Sequence, residues 1–562
     1  MKRFAKHTLP AVMAVAALGA LCFGTRNDFG LGRNMEILIN MMRELAVYYV
    51  DEVDTDALAK GAAEGMMRSL DPYTEFLPED EMANIELLTT GKYGGVGSLI
   101  RKRGDYVVFA QPYKGSPADR AGIIIGDKIV AIDGEDARGF DTEDVSKRLK
   151  GDPGSNVKVT VERLIGGGRE TLTLRRERIS IPSIPYAGWF EDGIAYIRHD
   201  DFTEDSYREM RAAIERLQAE GPIRGIVLDY RNNGGGIMQE AVRVLSLFLP
   251  KGTEVLTTRG RTAPNVSRYR TELEPLVADT VPMAVLINGN TASSSEIVAG
   301  ALQDLDRAVV VGQRSFGKGL VQSIRPVGYN SMVKLTTAKY YTPSGRCVQA
   351  VDYSGHLADG TARAVPDSLT HEFRTAAGRI VRDGGGITPD VKTDPEYICR
   401  FAMTLYALGH IDDFGDEYFR EHHADSIDLR TFSITDADYE RFREFMAGRE
   451  VPYESDTRRA LNALRRSAEA DLFDEDLRPA IESIEAGLHD DLDANLETYR
   501  DEIVRTINND IVLRHGYARG VAEHNLADDK EAARAAGLLR DRAAYDALLA
   551  PPADAAAVAA EK

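Results

Sequence analysis

The sequence predicts an α+β protein of several domains around an α/β core, and three observations carry that reading. First, two apolar runs, 225–230 and 281–287, each break at a polar or glycine-rich turn and resume as helical patterns near 237–249 and 295–305. That repeat of strand, turn and helix is what a parallel sheet requires. Second, residues from about 91 to 178 read as a β domain with glycine turns. Third, helical stripes flank these regions on both sides. At 562 residues the chain has room for three or four domains, and 28% charged with 43% hydrophobic is an ordinary globular composition.

The N-terminus begins Met1-Lys2-Arg3-Phe4-Ala5-Lys6 and runs on apolar from Leu9 to Phe23, so residues 1–25 have the form of a secretory signal or a retained membrane anchor. Leu18 suits an Ala-x-Ala cleavage site badly, and Leu21 is too large for a good lipidation box before Cys22. Residues 34–90 are helical, with Met35, Leu38, Met42, Leu45 and Tyr49 on one face and a turn near Asp71-Pro72-Tyr73. The β domain follows at 91–178, and the α/β core spans 180–395. Inside the core, the Gly-, Asp- and Arg-rich stretch between Arg346 and Gly384 reads as a surface excursion. From 396 to 549 the chain is helical and acidic, and Leu492, Leu496, Tyr499, Ile503, Ile507 and Ile511 recur at steps of three and four. That stripe must be buried, either against its own chain or in a dimer or adaptor interface. The Ala/Pro-rich tail 550–562 is expected to be disordered. Cys347 and Cys399 pair only if the fold brings them together.

The chemistry centres on Ser293, in Thr291-Ala292-Ser293-Ser294-Ser295-Glu296-Ile297, and Lys318, in Ser315-Phe316-Gly317-Lys318-Gly319. A hydroxyl becomes a good nucleophile when a nearby base takes its proton, and an amine can serve as that base. Ser293 falls at a strand-to-helix turn, where helix N-terminal amides stabilise negative charge. The next apolar strand, 308–312, leads to the Lys318 loop, so a crossover helix can bring both loops to one carboxyl edge of a parallel sheet. A free lysine titrates near 10.4, and a base useful at neutral pH needs that lowered by roughly three units. Phe316, Leu320 and Val321 are candidates for the apolar wall that would lower it. A second reading of Ser293-x-x-Glu296 is a capping box, in which the serine only satisfies helix amides. Residue types alone leave both readings open.

Other chemistries are poorly represented. None of the ten histidines lies in these segments, no Gly-x-Ser-x-Gly elbow occurs, and His199 after the strand 194–197 reads as structural. No His-Glu-x-x-His or paired-cysteine spacing marks a metal site, and adjacent His422 and His423 point to different helix faces. The glycines after Arg231 form neither Gly-x-Gly-x-x-Gly nor a phosphate-binding Gly-x-x-x-x-Gly-Lys motif. A net charge of −20 argues against nucleic acid as a partner.

The stretches Gly225 to Gly236, Thr291 to Ile297 and Phe316-Gly317-Lys318-Gly319-Leu320-Val321-Gln322 resemble the carboxyl-terminal processing peptidases, also called tail-specific proteases, of the Ser/Lys class. The resemblance implies a ClpP/crotonase-like core with Ser293 as nucleophile, Lys318 as base and Gln322 orienting the lysine. The separation of Ser293 and Lys318 matches the family's interval. Two mild departures are Ser294, commonly alanine in the family, and Tyr230, commonly leucine. Ser294 would give only its backbone amide to an oxyanion hole, and Gly234 or Gly235 is the expected second donor, since only glycine lets the backbone approach a reacting carbonyl that closely.

Residues 91–178 resemble a PDZ domain inserted ahead of the core, with Tyr93-Gly94-Gly95-Val96-Gly97 as the carboxylate-binding loop and Gly115-Ser116-Pro117-Ala118 and Gly126-Asp127-Lys128-Ile129 in the body. PDZ domains add a peptide as an extra strand and hold its terminal carboxylate. The implied function is a serine endopeptidase of the periplasm or cell envelope that selects proteins by free, apolar C-terminal tails, needs no cofactor or metal, and has a homodimer or adaptor contact through its helical segments. The alternative is a PDZ-bearing envelope scaffold or chaperone whose site is silent or activated by a partner.

Overall fold

The computed structural model describes residues 28–551, apart from 69, 80–89, 192, 262–265, 357–361, 365, 396–398 and 489. The expected signal or anchor and the tail from 552 onward lie outside the described residues. Among the described residues no helix is long and apolar enough to cross a membrane. They fall into two compact units, one holding residues 28–79 with Gln322–Thr336, the other residues 90–321 with 337–551.

The first unit contains the helices Asp28–Tyr48 and Thr55–Arg68. Asp54 starts the second helix by accepting the amides of Asp56 and Ala57. The sequence expectation of helix throughout 34–90 needs correcting beyond this point. Asp71 Oδ1 accepts the N–H groups of Tyr73 and Thr74, each at 2.9 Å, and the turn so formed directs Glu75–Leu77 into a strand antiparallel to residues 332–334. Met35, Leu45 and Tyr49 of the predicted apolar face are exposed.

In the second unit, the β domain is a sheet ordered Ser98–Arg103, Tyr106–Pro112, Lys128–Ile132, Asn156–Glu162 and Arg169–Arg175. Its pattern follows the two-residue period of a half-buried sheet: Val157, Val159 and Val161 are fully buried while Lys158 between them is exposed. Helix Thr142–Leu149, capped by Asp141 accepting the Asp144 N–H at 2.8 Å, adds Val145 and Leu149 to this core.

The α/β core is a six-stranded sheet ordered Tyr186–Glu191, Ile194–Arg198, Gly225–Asp229, Met283–Ile287, Val309–Gly312 and Val391–Lys392, parallel except for the first strand. Gly225–Asp229 and Met283–Ile287 are buried along their whole length, as strands covered on both faces must be. One face packs on Met210, Ile214, Leu245, Val298 and Leu302 from the helices Ser206–Glu220, Met238–Leu245 and Ser294–Asp304. The other is covered by Ala532, Ala535, Ala536, Leu539 and Tyr545 of the C-terminal helices Lys530–Arg540 and Arg542–Leu549. Each fully buried aliphatic side chain contributes about 1.5–3 kcal/mol. The C-terminal helices therefore complete the hydrophobic core of the sheet.

The stripe Leu496, Ile503, Ile507 and Ile511 is buried against Phe401, Leu405, Phe414, Tyr439 and Phe442 of the neighbouring helices. Of the two fates open to it in the sequence, it takes burial within its own chain. The stretch after Arg346 is a correction to the surface excursion. Arg346 pairs with Asp304 at 2.7 Å, both almost wholly buried, and Arg379 bridges Asp306 and Asp390. Charged composition suggested solvent, but these charges neutralise one another at the far end of helix Ser294–Asp304. Cys347 and Cys399 are both free.

Candidate active site

The carboxyl ends of the central strands carry the candidate residues. Strand Met283–Ile287 ends in a turn held by Thr291, whose hydroxyl donates to Tyr230 O and accepts the Asn288 N–H, each at 2.9 Å. Ser293 then takes φ 56° and ψ −117° before helix Ser294–Asp304 begins. A non-glycine residue at positive φ is uncommon and strained, and such strain persists where the surroundings over-determine it. Here the surroundings are the glycine-rich loop after Arg231. Asn233 O accepts the Ala292 N–H at 3.0 Å and the Ser295 hydroxyl at 3.1 Å, and Gly236 O accepts the Ser294 hydroxyl at 2.9 Å. The Ser294 side chain is thus occupied in joining the two loops.

Gly235 lies so close to this turn that a Cβ on it would meet Ser293 Cβ at 2.7 Å and Ser294 N at 2.9 Å, and its φ is +104°. Only glycine fits. The Gly235 N–H is itself donated to Asn233 Oδ1 at 2.9 Å, whereas among the described residues the amide of exposed Gly234 has no protein partner.

Lys318 follows strand Val309–Gly312 in a loop organised by one side chain, Glu296. Its carboxylate is fully buried and accepts four donors: Ser293 N–H at 2.9 Å and Lys318 N–H at 2.8 Å on Oε2, and Gly317 N–H at 2.7 Å and the Ser315 hydroxyl at 2.5 Å on Oε1. The backbones of Ser293 and Lys318 therefore share a single oxygen atom. Burial pushes the Glu296 carboxyl above its ordinary range, opposed by the hydrogen bonds from Ser315, Lys318, Ser293 and Gly317. Sequence reading noticed Glu296 only as half of a capping box; its reach to the second loop, 22 residues on, is tertiary. Tyr340 adds a further tie, its hydroxyl donating to Ser293 O at 3.2 Å. Of the expected apolar wall, Leu320 is buried and Val321 packs against the core, but Phe316 is 52% exposed and contributes none.

Gln322 lies in the first unit, where its Nε2 donates to Thr336 Oγ1 at 3.2 Å and Thr336 Oγ1 donates to Asp71 Oδ1 at 3.2 Å. His199 is buried against Phe202 and Tyr230, and burial drives its pKa down to about 3, which leaves it neutral. Among the described residues no cluster of His, Cys, Asp or Glu is arranged to hold a metal ion.

In the β domain, Tyr93, Gly94 and Gly95 are paired antiparallel with Ile179, Arg178 and Glu177. Val96 and Gly97 close the loop: Val96 O accepts the Ala118 N–H, and Gly97 O accepts the Tyr113 N–H and the Ser116 hydroxyl. A Cβ at Gly97 would meet Ser116 Cβ at 2.4 Å, so this position also requires glycine. The next strand, Ser98–Arg103, is first in the sheet order and pairs with Tyr106–Pro112 on one side only among the described residues. Helix Thr142–Leu149 packs near that strand.

Comparison with known proteins agrees with this architecture. Residues 193–359 match Peptidase family S41, residues 108–163 match the PDZ domain, and residues 401–539 match the family described as "Probable PDZ-protease, C-terminal helical domain". The chain is 35% identical over 330 residues to the carboxy-terminal-processing protease of Bartonella bacilliformis, covering 58% of this chain and 75% of that one. It is 32% identical over 343 residues to a "Probable CtpA-like serine protease" of Staphylococcus aureus, covering 60% and 68%. A solved structure titled photosystem II D1 C-terminal processing protease aligns at 28% identity over 63% of this chain and 86% of its own, with a TM-score of 0.34. The chain belongs to peptidase family S41 and is a serine peptidase that carries a PDZ domain and a C-terminal helical domain.

Proposed function

We propose that this peptidase is an endopeptidase working through a Ser293/Lys318 pair on proteins chosen by their C-terminal tails. The observation that carries the proposal is the shared Glu296 Oε2, which keeps the Ser293 and Lys318 amide nitrogens no farther apart than two hydrogen bonds of 2.9 and 2.8 Å end to end. In this reading the Lys318 amine takes the Ser293 proton as Oγ attacks a peptide carbonyl. The proton passes to the leaving amine, and water then releases the acyl group from Ser293. The Ser294 N–H at the helix start and the unpartnered Gly234 N–H receive the oxyanion. Gly235 acts by proximity, letting the loop approach. Gln322 is assigned the task of orienting the lysine on the strength of the family motif.

The substrates of a PDZ-bearing peptidase are peptides or proteins. Tail selection is supported by the open edge of Ser98–Arg103 beside the Val96-Gly97 loop, where an added strand would end with its carboxylate near loop amides. Export to the periplasm or envelope rests on the apolar run 9–23. Self-association is assigned to helix Asp28–Tyr48, whose exposed Leu31, Met35 and Ile39 offer an apolar face.

The test compares wild type, Ser293→Ala and Lys318→Ala on a loosely folded protein with an apolar tail, as free carboxylate and as amide. Both variants should lose at least about 100-fold in kcat, and amidation should raise KM. Cleavage by Ser293→Ala would remove that residue as nucleophile, and inactivity of all three forms would favour a silent or partner-activated scaffold.

A further inference from the structure

The residue that opens the glycine loop is gripped from the far end of the chain. Arg231 stands three positions before Gly234, and its guanidinium binds Asp229 on its own strand together with Asp529 and Glu531 from the first turn of helix Lys530–Arg540. The Arg231–Glu531 bond is 2.8 Å, and all three partners are largely buried. Burial works against the arginine's charge, but Asp229 and Asp529 outweigh it and hold the group cationic. Glu531 also accepts from the Gln313 amide and the Thr393 hydroxyl. Gln313 directly follows strand Val309–Gly312, five residues before Lys318. The N-terminal turn of one C-terminal helix thus holds the entrances to both the glycine loop and the lysine loop. Asp529 caps that helix as well, accepting the amides of Glu531 and Ala532.

Other anchors fix the far side of the glycine loop: Asn233 donates to His199 O and accepts the Gly235 N–H. On the Arg231 side, the partners outside the loop's own strand are Asp529 and Glu531. A guanidinium fork held bidentately by carboxylates has a defined orientation, which a lysine or a neutral contact would not give.

We infer that Asp529 and Glu531 are positioning residues for the peptidase reaction: acting through Arg231 and Gln313, they set the Gly234 amide and the Lys318 loop against Ser293. This rests on the reading of Ser293, Lys318 and Gly234 given above. The C-terminal helical domain then serves the chemistry in cis, from about 300 positions away along the chain.

The test uses the full chain with the double variant Asp529→Asn/Glu531→Gln, which keeps the shapes and an adequate helix cap but removes both charges. Misplacing an oxyanion donor costs up to about 10²–10³ in kcat, so the expected loss is about 10–100-fold in kcat with KM changed less than about twofold. Tyr545→Phe is the control for mere loosening of the same helices, because its hydroxyl bonds Met283 N and O at the opposite end of the sheet. It should lower the unfolding temperature and leave kcat near wild type. If the double variant does not fold, Glu531→Gln alone is read in the same way. Wild-type kcat in the charge-removed variant, or an equal kcat loss in Tyr545→Phe at matched stability, overturns the inference. Ser293→Ala run alongside separates the two failures: its activity would sink the nucleophile assignment, while its inactivity beside a fully active charge-removed variant would sink only the brace.

Discussion

Replacing Glu296 should damage stability and turnover together, and its four bonds give the magnitudes. In Glu296→Gln one oxygen remains, and it is best spent on the Ser293 and Lys318 amides that share Oε2. The new NH2 then faces Ser315, whose hydroxyl can turn to accept, and the Gly317 N–H, which cannot. One buried donor left unsatisfied costs about 1–3 kcal/mol. If about 2 kcal/mol of that is felt in the transition state, kcat falls about 30-fold. Glu296→Ala strands all four donors and opens a cavity, so its stability loss should reach about 4–6 kcal/mol. Urea unfolding of both variants measures the first quantity, and single-turnover acylation of Ser293 measures the second. Because burial raises this carboxyl's pKa, the native state holds its proton more tightly than the unfolded chain. Wild-type stability from this group is therefore fullest at acid pH and declines as pH rises through the shifted titration, and Glu296→Gln should lack that decline. A Glu296→Ala protein within about 1 kcal/mol of wild type, acylating at the normal rate, would refute the reasoning.

Three other outcomes follow from the same contacts. Gly235→Ala would press a methyl against Ser293 and Ser294 at positive φ, so it should cost about 2–5 kcal/mol and at least 100-fold in kcat, whereas Gly234→Ala, with open space around its Cβ, should change unfolding free energy by about 0.5 kcal/mol or less. His199, with its pKa lowered to about 3, binds a proton in the unfolded chain first; stability is full above about pH 6.5 and falls by about 1.4 kcal/mol by pH 5.5, a loss that His199→Phe should abolish in urea titrations at the two pH values. Arg514→Ala leaves Asp510 and Asp416 buried without their 2.7 Å partner, and denaturant unfolding should register a loss of about 3–5 kcal/mol.

Local pattern was enough for much of this molecule. Unbroken apolar runs at 225–230 and 281–287, each followed by a turn and a helical period, specify buried parallel strands wherever they occur, and the serine and lysine motifs sit at predictable places after them. The alternating valines of 156–162 likewise fix which face of the β domain is buried. Such signals survive in one dimension because the side-chain period and the turn residues are set by the backbone itself. What the tertiary structure decided were the contacts between residues far apart in sequence. Glu296 satisfies a capping-box pattern, and nothing local reveals that its carboxylate also holds the Lys318 loop. Arg346 and Arg379 look like solvent-facing residues until Asp304, Asp306 and Asp390 are brought to them. The isoleucine stripe after Leu492 had to be buried somewhere, but only the packed helices choose its own domain over a partner. Asp529 and Glu531 are two acids in an acidic stretch until Arg231 arrives from the sheet. The physical reason is common to all four: a charge or an apolar face states a need in the sequence, and the partner that meets it is selected by the closure of the fold.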